Sequence, residues 1–379
     1  MILFLRSSDV GIDSKLRRYR RGLDAAGLDN RALYWDRDGY TETDPNPDDL
    51  RFSYTPRNSS RWLTGLALIG LNIFAFRAMW QRRKQLSLVQ AVDFDTVLAA
   101  LLMRLLAGTP YIYDIYDSYP DSRGVKGVAR LPFDWLEKLA IRHASLVILA
   151  DECRTEQHCA IADEKRMIIE NVPDADQNDF AALPQNKGPA SQLRIGYLGT
   201  FEPRFRGLED CITAVEANED IELHIAGTGA LEPHIKSHAA TCPRIHLYGP
   251  MDHGKGLALL ASCDIILGLY YRDVANHRYA APNKYYEHLL LGKPLLTSAG
   301  TPPGRKVREQ DTGWAIADGA APIAAVLAEA LADPQSLLAK GERARLLWQN
   351  KFAGYYEQVI AGDYVGEVRK LLRNNGKRT

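Results

Sequence analysis

The chain has no surplus of positive charge. Its 47 Lys and Arg balance 47 Asp and Glu, and the pI is near 7.1. A nucleic-acid footprint normally needs a basic excess, so no nucleic-acid partner is expected. Cysteine is scarce. The five residues, Cys153, Cys159, Cys211, Cys242 and Cys263, are odd in number, scattered and without CxxC spacing. That suits reduced thiols in a cytosolic protein and offers no zinc motif. No apolar run reaches the roughly 18–20 residues that span a bilayer. The longest, residues 62–76, is broken by Thr64, Gly65 and Asn72. The opening MILFLRSSD has too short an apolar stretch for a signal peptide and reads as a first strand. No short-period repeat is visible. No Ser/His/Asp or Cys/His nucleophile set emerges from spacing alone.

What is present is a βα rhythm that runs twice. The 379 residues suffice for two domains. Residues 1–172 alternate apolar strand-like runs with helical segments, which argues for a parallel sheet. Residues 173–192, rich in Asp, Asn, Gln and Pro, read as a linker. The rhythm restarts over 193–347, and helices from about residue 348 to 379 are expected to return to the first domain. In an open parallel sheet, ligands gather at the C-terminal ends of strands. Asp9 and Asp117 both fall at such ends, where each is a candidate carboxylate for chemistry or a turn former. Asp36-Arg37-Asp38 and Asp93-Phe94-Asp95 look like DxD metal motifs. A turn explains the first and a helix N-cap at Asp93 the second, so no metal site is assigned. The apolar stretch 62–76 carries Arg51, Arg57 and Arg61 before it and Arg77, Arg82, Arg83 and Lys84 after it. Trp62 and Trp80 stand at its ends. It reads as a helix lying on an anionic membrane face, or as a core helix with solvated basic ends.

The most informative stretch is 281–296, APNKYYEHLLLGKPLL. Pro282 opens a helix and Gly292 ends it. At helical spacing Tyr285, Tyr286, Leu289 and Leu290 share one side, with Lys284, Glu287 and His288 on the other. An anion at the N-terminus of this helix, beside Asn283, meets free N–H groups and the positive dipole end. Glu287 lies roughly 7 Å further along the axis, about the step from a nucleotide's phosphates to its ribose. Arg204 and Arg206 follow the strand that ends in Gly199-Thr200, and guanidinium suits phosphate oxygens. Gly227-Thr228-Gly229 is a strand-to-helix turn without the third glycine of a dinucleotide fingerprint, which argues against NAD. His277, Arg272 and Arg278 precede Pro282 and either read a sugar or are ordinary loop residues.

Taken together these motifs resemble the GT-B glycosyltransferases, most of all the bacterial family 4-like enzymes of polysaccharide assembly. Arg206-Gly207 is similar to that family's KG, Gly227-Thr228-Gly229 to its GxG, and Gly249-Pro250-Met251 to the turn that meets the base. The run from Pro282 to Glu287, followed by Gly292-Lys293-Pro294, is similar to PxKxxE…GKP. The resemblance implies an α/β fold of two Rossmann-like domains with parallel sheets facing across a cleft. It implies Glu287 on the ribose hydroxyls and Arg206 and Lys284 on the diphosphate. Gly199, Thr200, Gly227, Gly229, Pro250, Asn283 and Arg204 would complete the nucleotide site. The donor would be a UDP-sugar, with no cofactor or metal. The acceptor would be a lipid-linked saccharide at the inner face of the cytoplasmic membrane, for a capsule, exopolysaccharide or O-antigen. The family's first acid, eight residues before the glutamate, falls at Tyr279, and the histidine of its N-terminal HD falls at Tyr116. Tyr279, Arg272 and Arg278 are the candidate contacts to the donor sugar. Asp117, matching the Asp of HD, is the candidate base of an inverting enzyme, with Asp9 second; a retaining one needs none. A UDP-sugar 2-epimerase-like isomerase and a non-catalytic sugar-nucleotide-binding subunit are the alternative classes.

Overall fold

The computed structural model describes residues 1–9, 13–36, 46–54, 61–158, 161–175 and 192–376. The chain divides into two compact units, Met1–Glu170 with Gly354–Thr379, and Asn171–Ala353. Most of the stretch read as a linker lies outside the described residues, as do Arg37 and Asp38.

The first unit is built on seven parallel strands: β1 (Ile2–Arg6), β2 (Asn30–Asp36), β3 (Leu50–Ser53), β4 (Leu88–Val92), β5 (Tyr111–Ile115), β6 (Leu146–Leu149) and β7 (Arg166–Ile168). Their order is β3-β2-β1-β4-β5-β6-β7. Helices cover both faces of the central strands, so nearly every residue is buried rather than every second one, including the polar Gln90 and Asp114. Strand order reverses between β1 and β4, and a crevice opens at such a point beyond the strand ends.

The long apolar stretch forms one helix, Arg61–Gln81, which runs past residue 76 because Arg77 and Gln81 do not interrupt it. Leu63–Gln81 is long and apolar enough to cross a membrane, and a third of its apolar window is buried. Ala67, Leu71, Ala75 and Met79 enter the core of the unit. On its outer side Leu66, Ile69 and Ile73 are 64%, 59% and 54% exposed.

The chain returns to this unit at Gly354, later than residue 348. The reason is local: the helix Pro334–Lys351 continues unbroken, and Trp348 packs on Phe352 within the second unit. The returning Tyr356–Tyr364 segment is wound as a π-helix. Tyr364 fixes it, stacking on Tyr19 with centroids 4.5 Å apart and donating its hydroxyl to Gln90 at 2.6 Å. Gln90 in turn donates to Asp114, which also receives a hydrogen bond from buried Lys15.

The second unit carries six parallel strands: β8 (Leu193–Thr200), β9 (Ile221–Thr228), β10 (Ile245–Gly249), β11 (Ile265–Gly268), β12 (Leu295–Ser298) and β13 (Gly313–Ile316). Their order is β10-β9-β8-β11-β12-β13, so the reversal falls between β8 and β11. β8 and β9 stay paired to their last residues, Gly199 with Gly227 and Thr200 with Thr228. A Cβ at Gly227, whose φ is +142°, would stand 1.8 Å from the Gly199 carbonyl oxygen. One at Gly229 would stand 2.6 Å from the Phe201 carbonyl oxygen. These glycines let two strand ends close on each other.

Gly227→Ala therefore forces the strand ends apart and is expected to cost on the order of 3 kcal/mol in urea unfolding. Gly354→Ala, where a Cβ would meet nothing within 4 Å, should stay near wild type. Equal unfolding midpoints for the two variants would contradict this account.

Candidate functional site

The helix Asn283–Leu291 follows β11 and begins at the reversal point of the second sheet. Pro282 occupies its cap position, and Gly292 ends it in the left-handed conformation with φ +61°. The helix is buried over most of its circumference. His288 does not share a solvated face with Lys284 and Glu287. It is fully buried, its Nδ1 lies 2.9 Å from the Lys293 carbonyl oxygen, and burial pushes its pKa down to about 3.

Lys284 threads between the ends of β8 and β11. Its Nζ would lie 3.0 Å from a Cβ at Gly199, and its Cδ 3.5 Å from one at Gly268. The ammonium stands 4.6 Å over the Tyr197 ring. Burial pushes this ammonium down to about 8, Glu287 pulls it up, and Arg206 pushes it down again. Arg206 lies with its guanidinium 4.6 Å over the Tyr270 ring and is held by Glu202 at 2.9 Å. Glu287 is buried, with one carboxylate oxygen 3.1 Å from His253 Nε2. His253 opens the helix His253–Ala261, which starts after the Gly249-Pro250 turn and is capped by Asp252. Lys284, Arg206, Glu287 and Gly199, with His253 on Glu287, thus converge at the β8/β11 reversal, a set of cations and one carboxylate of the kind that suits an anion beside hydroxyl groups.

Other expected residues are placed differently. The exposed Arg204 has φ +69°, and its backbone N–H donates to Glu209 at 2.8 Å. Thr200 and Asn283 are exposed, and the Thr200 carbonyl accepts from the Tyr197 hydroxyl at 2.7 Å. Arg272 packs against Gly300, and its N–H donates to Asp318. Arg278 is exposed, and Tyr279 closes the short turn Ala275–Tyr279. His277 is no surface reader of sugar: it is buried, with Nδ1 2.8 Å from the Tyr271 carbonyl oxygen.

The reversal point of the first sheet holds a second polar cluster. Asp93 is not a helix N-cap, since its side chain makes no capping bond. Its φ is +61°, and its carboxylate turns back to pair with Arg6 at 2.8 Å across β1 and β4. The same carboxylate accepts the backbone N–H groups of Tyr116 and Asp117. Burial, helped by the charges of Asp117 and Asp95, raises its pKa to about 6 against the pull of Arg6. Asp117 is half exposed and ion-paired with Arg154 at 2.8 Å. Asp95 accepts from Ser7 and lies 3.4 Å from Arg123. Asp9 follows β1, and its charge is felt by Arg51. Asp36, the described part of the other DxD-like motif, is buried and lies 3.6 Å from Arg51. Arg6, Tyr197 and His253 were not singled out from sequence, and Asp93 reads there only as a DxD-like residue explained by a helix N-cap. Only the position of Asp93 at the end of β4 offered a signal.

Residues 10–158 match the family described as glycosyl transferase 4-like domain, and residues 192–333 that described as glycosyl transferases group 1. No curated protein sequence matches the chain. Solved structures share the fold at low identity. Sucrose-phosphate synthase from Thermosynechococcus elongatus superposes with TM-score 0.73 at 16% identity, over 99% of this chain and 100% of that one. Anabaena HepE, solved with UDP and glucose, gives 0.68 at 17%, over 97% and 99%. WaaG, a glycosyltransferase involved in lipopolysaccharide biosynthesis, gives 0.65 at 14%, over 95% and 98%.

With Lys284 near 8, about half of it is neutral at pH 8, and a diphosphate bound beside it would restore its charge. Titrating UDP at pH 8 in two buffers of different ionisation enthalpy should reveal uptake of about half a proton, with affinity falling as pH rises further. Lys284→Arg, permanently charged, should abolish the uptake. Buffer-independent heats for the wild type would contradict the assignment.

Proposed function

Because the chain belongs to the glycosyltransferases, a glycosyl transferase 4-like domain preceding a group 1 domain, we propose that it transfers a sugar from a UDP-sugar to a lipid-linked saccharide. The observation that carries the donor half is the meeting of Lys284, Arg206 and Glu287 at the β8/β11 reversal. The bond that breaks joins the sugar's anomeric carbon to the diphosphate, which leaves with growing negative charge. Two preorganised cations at that point are each worth on the order of 10²–10³ in rate. They supply the positive charge without a metal ion. Glu287 takes the ribose hydroxyls, with His253 orienting its carboxylate. That a structural neighbour was solved with UDP and glucose supports uridine as the nucleotide.

The acceptor half rests on the first unit. An apolar groove of about 610 Å³ lies there, lined by Leu66, Ile69, Ile73, Leu98, Leu102 and Phe133. It has the size of a small-molecule site. Its walls offer almost nothing polar except Asn72 and Asp95, and Asp95 neighbours Asp93. A hydrocarbon chain fits the groove while its head group meets Arg123 and the Asp93–Asp117 cluster. In this reading Asp93, raised toward neutrality, takes the acceptor hydroxyl's proton if the reaction inverts, and Asp117 is held by Arg154 as a positioning carboxylate. The exposed row Leu66, Ile69, Ile73 rests on the inner face of the cytoplasmic membrane, and the product is an intermediate of a capsule, exopolysaccharide or O-antigen.

Glu287→Ala should weaken UDP binding at least tenfold by calorimetry and leave the chain folded by circular dichroism. Unaltered binding would remove the ribose role. Incubation with UDP-sugar alone, yielding an epimer rather than needing an acceptor, would replace transfer by isomerisation. Ile69→Asp with Ile73→Asp should abolish sedimentation with anionic vesicles and spare UDP binding. Undiminished sedimentation would refute the lipid-facing row.

A further inference from the structure

We propose that Glu222, His224 and His246 form a binding site for one divalent transition-metal ion of the zinc class, clasping the edge strand β10 to β9. The site lies in the first half of both strands, away from the strand ends that carry the nucleotide residues, and does not depend on the donor reading. Glu222 and His224 are two residues apart on β9 and so point to the same face. Leu223 and Ile225 point the other way, into the core of the unit. His246 is the register partner of His224 on β10, which places all three side chains in one patch.

Both imidazoles turn the same nitrogen toward the same carboxylate. His224 Nε2 lies 3.2 Å from Glu222 Oε2, and His246 Nε2 lies 3.8 Å from Glu222 Oε1. The ligand atoms of the three residues all lie within 4.8 Å of one another. The second gap is too long for a hydrogen bond, and His246 Nε2 is buried with no hydrogen-bond partner. Zinc binds imidazole nitrogen and carboxylate oxygen at roughly 2.0–2.2 Å, so two ligands of one tetrahedral ion stand about 3.3–3.5 Å apart. Small side-chain rotations bring this set to that spacing.

The far nitrogen of His224 is already engaged. Its Nδ1 lies 2.9 Å from the Tyr248 hydroxyl, the outer-shell contact that orients a ligating histidine and leaves Nε2 for the metal. Two imidazoles and one carboxylate suit zinc and its neighbours rather than magnesium or calcium. Arg194, 3.5 Å from Glu222 Oε2, competes for the carboxylate and keeps the affinity below that of a dedicated structural site. β10 runs directly into Gly249-Pro250 and then His253, so the ion would steady the turn that leads to Glu287.

The test uses the full chain, treated with chelator and titrated with Zn²⁺ in calorimetry. One equivalent is expected to bind and to raise the thermal midpoint, while Mg²⁺ does neither. His224→Ala and His246→Ala should each weaken binding tenfold or more. His238→Ala, which removes a histidine of the same unit paired instead with Glu216, should not. Far-ultraviolet circular dichroism shows whether each variant is folded. Absence of a Zn²⁺ isotherm in the wild type would overturn the proposal, and so would an unchanged one in the folded double variant His224→Ala, His246→Ala.

Discussion

A lysine ammonium withdrawn from water at the meeting of two strand ends is the constraint on which the second unit turns. Lys284 stands over the Tyr197 ring and against Gly199 and Gly268, and burial lowers its affinity for a proton. Glu287, one helical turn on, offsets part of that cost, and Arg206 adds to it. A cation so placed is incompletely compensated, which favours an anion beside it. The neighbouring residues are explained by this need. Glycine at 199 leaves room for the lysine ammonium, and glycine at 268 leaves room for Leu295 beside the lysine stem. Aromatic rings face both cations. Glu202 and His253 hold the arginine and the glutamate in place.

The same topology operates twice with different chemistry. In each sheet the strand order reverses at one point, between β1 and β4 and between β8 and β11. In the second unit that point collects the cations Lys284 and Arg206. In the first it collects carboxylates, with Arg6 binding Asp93 and Asp13. Asp93 adopts a left-handed backbone that lets its carboxylate reach the Tyr116 and Asp117 amides rather than cap the helix that follows. A non-glycine residue held in that conformation costs about 1–3 kcal/mol, which the surrounding bonds must supply.

Much of the architecture was legible in the chain. The doubled βα rhythm, the parallel strands and the helix bounded by Pro282 and Gly292 follow from buried strands being continuous apolar runs and from Pro and Gly marking element ends. The short strands β3 and β13 were not, because edge or near-edge strands of four residues carry little pattern. The helix through residue 81 was read as shorter because polar interruptions count against an apolar run. Burial on one side and solvent on the other tolerates them.

By itself the sequence determined the local chemistry: a lysine and a glutamate three positions apart on one helix, glycines where strands end, arginine after β8. These depend on neighbours within a few residues, and backbone sterics enforce them. Only the tertiary structure decided which of these residues meet. It brought Lys284 under Gly199, paired Glu287 with His253, moved Asp93 from cap to carboxylate cluster and buried His288 and His277. It also set His246 beside Glu222 and His224. Those outcomes depend on strand order and register, which join residues far apart in the chain, and no spacing along the sequence encodes such a join.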